Sequence, residues 1–597
     1  MSNLRPESMS NVASGDSVVI LDGVSKYFVS GKRKIAALQN VSMFVRKGMI
    51  TGIIGPDGAG KTTLMRLSTG LLTPDAGRII VFGRDATHDS LLIQASVGYM
   101  PQRFGLYEDL TVMENMNLYA DLQGVLRKSR PERFEELLHM TGLGPFVSRL
   151  AGRLSGGMKQ KLGLACTLVQ SPHLLLLDEP TVGVDPVSRR ELWSIVYRLI
   201  HEEGMSVMLS TAYLDEAERC NEVIMLHEGR LLGQGAPETF SAAMAGRTYT
   251  VVVPGMKNRI LQGNLLRSPD VTDAVVQGDR VRLVIDSTFP PEAAKLLPSV
   301  RNMSVAPVKP RFEDSFISML RLGRPVKLKD MEERTDAVAK TGSSGDHVIE
   351  VKNIQRRFGD FYAVKGITFS VKKGEVFGLL GANGAGKSTT FRMLCGLLPP
   401  SAGNLSVAGV DIRKAPAAAR AHIGYMSQKF SLYGNLSVKE NLRFFSSAYG
   451  LKGSTHKERI QWALDQFDLS DIAEVTSNDL SLGHKQRLAM ACSLMHNPGI
   501  LFLDEPTSGV DPIARREFWH RISSLAERGV TVMVTTHFME EAEYCDSLAI
   551  MAAGEILALG TPTDIKAKVR SAELPEPTME DAFIGLIKGN ENTKNIS

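Results

Sequence analysis

Two glycine-rich stretches of this chain, Gly55 to Thr62 (GPDGAGKT) and Gly381 to Ser388 (GANGAGKS), each end in a lysine followed by a hydroxyl residue. That spacing suits a phosphate chain: a tight turn lets backbone N–H groups converge on the anion, and the helix that follows adds partial positive charge. Gly55, Gly58 and Gly60 form one cradle and Gly381, Gly384 and Gly386 the other, with Thr63 and Thr389 continuing into the helices. Lys61 and Lys387 would neutralise the β and γ phosphates of ATP, and Thr62 and Ser388 would offer a hydroxyl to Mg²⁺. Downstream, the apolar runs Leu174 to Leu177 and Ile500 to Leu503 end in the acid pairs Asp178-Glu179 and Asp504-Glu505, each followed by proline. A strand buried in a parallel sheet delivers both carboxylates to its C-terminal edge, beside the phosphates. Asp178 and Asp504 are thus expected to hold Mg²⁺, and Glu179 and Glu505 to act as general bases on the attacking water.

The elements that must position these groups are written twice. Lys61 and Lys387 stand 326 residues apart, and the pairs Gln102/Gln428, Ser155/Ser481 and Glu179/Glu505 share that offset, which marks a duplicated and fused unit. Short apolar runs (Val18 to Leu21, Ile50 to Ile54, Leu174 to Leu177, Val207 to Ser210) read as strands buried on both faces of a parallel sheet. Longer amphipathic stretches separate them, so the fold class is α/β: tandem P-loop nucleoside triphosphatase domains. The organisation read from the sequence is an N-terminal tail over 1–16 and a first ATPase domain over 17–244. An accessory β-rich insert with a terminal helix (245–321), a polar linker (322–346), a second ATPase domain with its own terminal helix (347–588) and a tail (589–597) follow. Relative to the second half, the first carries 58 extra residues between about 245 and 306, holding the β-like runs Tyr249 to Val253 and Val281 to Ile285.

Composition bounds the partners. With 69 basic and 65 acidic residues the net charge is +4, so electrostatics singles out neither nucleic acid nor anionic lipid. No apolar run approaches the ~18 residues of a membrane span, and the N-terminus has no signal-peptide pattern, so the chain is expected in the cytosol. The five cysteines show no metal-ligand spacing and are expected to be buried and reduced, and the histidines other than His537 and His484 show none either.

Leu154-Ser155-Gly156-Gly157-Met-Lys-Gln, upstream of the first acid pair, resembles the signature sequence of ABC-transporter ATPases, and the resemblance covers nearly the whole chain. It implies ABC-type nucleotide-binding domains, each with a helical subdomain, that close head to tail so that the signature of one covers the ATP held by the other. Gln102 and Gln428 then resemble the glutamine loop that meets Mg²⁺ and the membrane subunit. Asp185 and Asp511 resemble the loop that couples the sites, and Phe28 and Phe358 the aromatics that stack on adenine. Two departures matter: where the family has its switch histidine, the second half has His537 and the first Ala212, and the second signature reads Ser481-Leu482-Gly483-His484. By the family's geometry, Lys61, Glu179 and Ala212 face Ser481 and Leu482, whereas Lys387, Glu505 and His537 face Ser155, Gly156 and Gly157. The first site is therefore expected to be degenerate and the second complete.

The Glu-Asp-[Ser/Ala]-Phe helices near 313 and 580 and the Leu-Ser-Leu-Gly signature are similar to ABC-2 type exporters. That similarity implies a multidrug-type efflux complex with two membrane permease subunits, at the cytoplasmic face of a bacterial inner membrane, without nucleic acid as partner. Two other functions share the chemistry: a tandem ABC factor acting on ribosomes, and the ATPase of an importer. Cofractionation with membranes or with ribosomes separates the first reading from the second.

Overall fold

The structure is a computed structural model that describes residues 16–30, 33–102, 105–287, 291–292, 296–298, 300, 302–321 and 347–596. The linker read at 322–346 and almost all of the N-terminal tail lie outside the described residues. The chain divides into two units, residues 1–248 with 309–324 and residues 249–308 with 325–597.

In the first unit a six-stranded sheet runs in the order Arg230–Gly235, Glu222–His227, Ile50–Ile54, Ser206–Thr211, Leu174–Asp178, Val97–Met100. All neighbours are parallel except the outer hairpin of the first two. The strand Leu174–Asp178 is buried at every position, as a run of four leucines sandwiched between helical layers must be. Burying each such leucine contributes roughly 1.5–3 kcal/mol, which anchors the acids that follow. The second unit repeats the sheet as Ile423–Met426, Ile500–Asp504, Thr531–Thr536, Val376–Gly381, Ser547–Ala552, Glu555–Gly560.

Val18 to Leu21 do not join the parallel sheet. They belong to Ser17–Ser30, which pairs antiparallel with Arg33–Arg46 and Ala76–Val81 in a separate four-stranded sheet. Their continuous apolar character arises because the bulged strand buries Val18, Val19 and Leu21 against a shared core with Ile53 and Ile224 of the parallel sheet. The helical subdomains start on capping boxes, Thr111 with Glu114 for Val112–Leu122 and Ser437 with Glu440 for Val438–Ala448.

Residues read together as one insert are split by the fold. The terminal helix Phe312–Arg321 packs on Pro237–Ala242 within the first unit. The preceding strands form a four-stranded sheet in the order Val271–Gln277, Arg280–Ile285, Thr248–Val252, Ser304–Pro307, covered by the helix Asn258–Leu266. Apart from Thr248, that module falls in the second unit. The stretch read as a tail from 589 continues the last helix, Met579–Ile596. No helix among the described residues is long and apolar enough to cross a membrane, and all five cysteines are buried and free.

Candidate active site

Each phosphate loop sits between a buried strand and the N-terminus of a helix, Ile50–Ile54 to Lys61–Ser68 and Val376–Gly381 to Lys387–Leu394. Gly60 and Gly386 precede the helices with φ of 103° and 102°, and a Cβ on either would lie within 2.6 Å of a carbonyl oxygen of Ala37 or Ala363. Only glycine meets both demands. Lys61 Nζ reaches back across its loop to donate to the carbonyls of Gly55 (2.8 Å) and Pro56 (3.2 Å). Lys387 Nζ does the same to Gly381 (2.7 Å) and Ala382 (3.2 Å). Thr62, Thr63, Ser388 and Thr389 occupy the first turns of the two helices, and Gly58 and Gly384 the loop tips.

The acid pairs lie against these lysines. Glu179 Oε1 is 3.5 Å from Lys61 Nζ and Glu505 Oε1 3.8 Å from Lys387 Nζ. Both glutamates adopt left-handed backbone, φ 52° and 46°, which costs a non-glycine residue on the order of 1 kcal/mol or more and is overcome by local hydrogen bonds. The Glu179 amide donates to Ser210 Oγ at 2.9 Å, and that hydroxyl donates to Asp178 at 2.7 Å. Thr535 Oγ1 does the same for Glu505 (2.8 Å) and Asp504 (2.6 Å). Gln102 Nε2 donates to Glu179 at 2.5 Å and Gln428 Nε2 to Glu505 at 2.8 Å.

The donor set fits Mg²⁺. Ser388 Oγ donates to Asp504 Oδ1 at 3.4 Å, and Asp178 Oδ2 is buried without a hydrogen bond among the described residues. Hard carboxylate and hydroxyl oxygens next to a phosphate cradle are what that cation takes.

Electrostatics separates the halves. Burial pushes the Glu179 carboxyl above its ordinary range, and Lys61 only partly offsets it. Burial acts on Glu505 as well, but His537, Lys387 and Gln428 outweigh it and leave that carboxyl below its usual value. His537 Nδ1 stands 3.3 Å from Glu505 Oε2, and both ring nitrogens are buried without a hydrogen bond among the described residues. Ala212, at the equivalent place, is buried and has no polar atom to offer.

Ser155 and Ser481 cap the helices Gly156–Thr167 and Leu482–Ser493, accepting from Met158 N and His484 N. The Ser481 hydroxyl also meets His484 Nδ1 at 2.8 Å. Gly157 and Gly483 are buried on the second position of these helices, while Gly156 and Leu482 occupy the first. Asp185 and Asp511 are N-caps of Pro186–Glu203 and Pro512–Glu527. Phe28 and Phe358 stand out on the antiparallel hairpins, 39% and 47% exposed, with Lys26 and Arg356 over their rings.

One buried pair escaped the motif reading. Glu216 is fully buried and accepts from Thr211 Oγ1 (2.6 Å), Thr181 Oγ1 (3.0 Å) and Trp193 Nε1 (3.1 Å). Glu541 likewise accepts from Thr536 at 2.6 Å and from Thr507. Each ties the loop after the acid pair to the end of the neighbouring strand, Ser206–Thr211 or Thr531–Thr536. The signal was available: Asp215-Glu216-Ala217 and Glu540-Glu541-Ala542 recur at a 325-residue offset.

Residues 38–182 and 364–508 each match the family described as "ABC transporter". Over 96% of its length the chain is 52% identical to the "Probable multidrug ABC transporter ATP-binding protein YbhF" of Escherichia coli (strain K12), covering 98% of that protein. It is 39% identical to the "Linearmycin resistance ATP-binding protein LnrL" of Bacillus subtilis (strain 168), over 42% of this chain and 82% of that one. With the "Nod factor export ATP-binding protein I" of Burkholderia orbicola it shares 42% identity over 36% of this chain and 71% of that one. A duplicated lysine cradle, a strand-borne acid pair and a similarity that spans both halves lead to one conclusion: the chain belongs to the ABC transporter family and is a tandem ABC ATPase.

Proposed function

We propose that this chain is the ATP-hydrolysing subunit of an ABC-2 type, multidrug-like exporter, docked on two membrane permease subunits at the cytoplasmic face of a bacterial inner membrane. The near full-length similarity to a protein named as a multidrug transporter's ATP-binding subunit carries the assignment. ATP closes the two halves head to tail, with Ser155, Gly156 and Gly157 over the phosphates at Lys387 and with Ser481 and Gly483 over those at Lys61. Phe28 and Phe358 stack on the adenines, and Asp185 and Asp511 couple the sites. Closure and release move the permeases through the surface around Gln102 and Gln428.

Hydrolysis falls to the second site. Glu505 takes a proton from a water whose oxygen attacks the γ-phosphorus; the bond from phosphorus to the β-phosphate oxygen breaks, leaving ADP and phosphate. Lys387 and His537 donate to the charge developing on the γ-phosphate oxygens. Ser388, Asp504 and Gln428, and in the first site Thr62, Asp178 and Gln102, would hold Mg²⁺, which when bound neutralises phosphate charge. The first site lacks the donor at Ala212, and loss of one such donor costs about 10²–10³ in rate, so it mainly holds nucleotide.

Two measurements test this. Glu505→Gln is expected to abolish turnover and Glu179→Gln to leave most of it; equal losses would refute the asymmetry. The tagged chain is expected to copurify with two membrane proteins, whereas sedimentation with ribosomes would overturn the exporter assignment.

A further inference from the structure

The accessory module of residues 249–308 packs within the second unit on a surface where one position, Asp546, differs in charge from its counterpart in the first, Asn221. Arg259, buried on Asn258–Leu266, donates to Asp546 Oδ2 at 2.6 Å and to the Gly374 carbonyl at 3.3 Å, and Lys257 adds a contact to Asp546 Oδ1 at 3.4 Å. Asp546 Oδ2 in turn accepts from Val376 N at 3.0 Å, at the foot of the strand that ends in the second phosphate loop. In the first half the same job is done by neutral Asn221, which accepts from Ile50 N at 2.8 Å. Asp273, 3% exposed on Val271–Gln277, pairs with Arg516 near the start of Pro512–Glu527. The equivalent Arg190 is exposed. Finally, the module's hairpin turn at Gly278 lies beside Lys566 and Glu543.

The grip lands next to the switch histidine. Arg515, the neighbour of Arg516 on the same helical turn, lies 4.0 Å over the Phe538 ring and 3.9 Å from Glu541. Phe538 stacks on His537 with centroids 4.5 Å apart, and His537 meets Glu505. A helix held through a buried ion pair moves as a rigid element, so the anchor on Arg516 sets where Arg515 and the Phe538–His537 stack can sit. The first half has no histidine to hold.

We infer that the accessory module is an intramolecular brace for the second ATP site, in which Asp273 and Arg259 are positioning residues for His537 and the second phosphate loop. The inference rests on the reading that the second site hydrolyses. Its partner is the surface of the second ATPase domain that carries Asp546 and Arg516; the duplicated surface in the first half keeps the arginine, Arg190, but has neutral Asn221 where Asp546 stands.

The full chain tests this with Asp273→Asn, which conserves size and removes the charge. Turnover is expected to fall about tenfold in kcat with the KM for ATP within about twofold, the range of coupling through packed elements. In a His537→Ala chain the same substitution is expected to change the residual kcat by less than about twofold, because the group it positions is gone. Amide hydrogen exchange over residues 536–542 is expected to accelerate, and Arg190→Ala is expected to leave turnover unchanged. An equal fold-loss in both backgrounds, or no loss of kcat where Glu505→Gln abolishes turnover, overturns the brace. Should Glu505→Gln leave most turnover in place, the second-site reading fails, and the exchange readout alone decides the brace: acceleration supports it and an unchanged rate overturns it.

Discussion

His537 and Ala212 hold the same place in the two switch segments, and the consequence reaches the carboxylates beside them. Glu505, 3.3 Å from the His537 imidazole, is held below the ordinary glutamate range, while Glu179, in the half with alanine at that position, is pushed above it by burial. A group with a raised pKa loses its ionised form as pH falls through that raised value, so any turnover that depends on Glu179 fails at a higher pH than turnover that depends on Glu505. Ala212→His in a Glu505→Gln chain is therefore expected to raise residual ATP turnover by about tenfold or more and to shift its acid limb to lower pH. A pH–rate profile checks both, and an unchanged rate would mean that Ala212 does not limit turnover at the first site. Lysines, acids, glutamines and the histidine were all legible in the sequence because their types recur at fixed spacing. Glu216 and Glu541 were not, since an acid in a short helix ordinarily reads as a solvated face and only the fold shows it buried among hydroxyls.

The two signature helices look alike in sequence but tolerate change differently. A Cβ on Gly157 would stand 2.4 Å from Ser188 Oγ, and Ser188 cannot yield, because its amide and hydroxyl both bond Asp185, at 3.1 and 3.0 Å. A Cβ on Gly483 meets only the Ala514 methyl, at 3.3 Å. Gly157→Ala is thus expected to cost about 2 kcal/mol through overpacking and a disturbed N-cap, and Gly483→Ala less than about 1 kcal/mol. In a unit of this size that is a fall of roughly 4–8 °C in the first unit's melting temperature for the former, measured by calorimetry, against little change for the latter. Equal shifts would mean that the Ser188–Asp185 clasp opens freely. At this scale the sequence revealed which runs are strands but not which sheet they enter. Val18 to Leu21 are as apolar as Leu174 to Leu177, and only the antiparallel pairing with Arg33–Arg46 separates them.

How the chain is threaded could not be read in advance, since Arg259 and Asp546 are 287 residues apart and local pattern carries no information about such a pair. The polypeptide leaves the first unit after Thr248, builds the accessory module on the second, and returns at Lys309 to add the helix Phe312–Arg321 to the first. That helix belongs where it lies: Phe312 meets Phe240 edge-on at 6.0 Å and both are fully buried. The module's two ends are adjacent, because Tyr249 and Pro307 are register partners in antiparallel strands. Excising 249–308 and joining 248 to 309 through two glycines therefore strains neither end. The excised chain is expected to keep the first unit's thermal transition within about 2 °C, since the core around Phe240 and Phe312 is retained. The second unit's transition is expected to fall by several degrees, on the order of 1–2 kcal/mol, because Asp546 loses its guanidinium and Arg516 its carboxylate. Removing the whole module lets Arg516 rehydrate, so the cost stays below that of leaving a buried charge unpaired, as Asp273→Ala would. Calorimetry resolves the two cases: a shift confined to the first unit would mean that the module stabilises the half from which its chain emerges, and the ion pairs on the second unit would then contribute nothing to its stability.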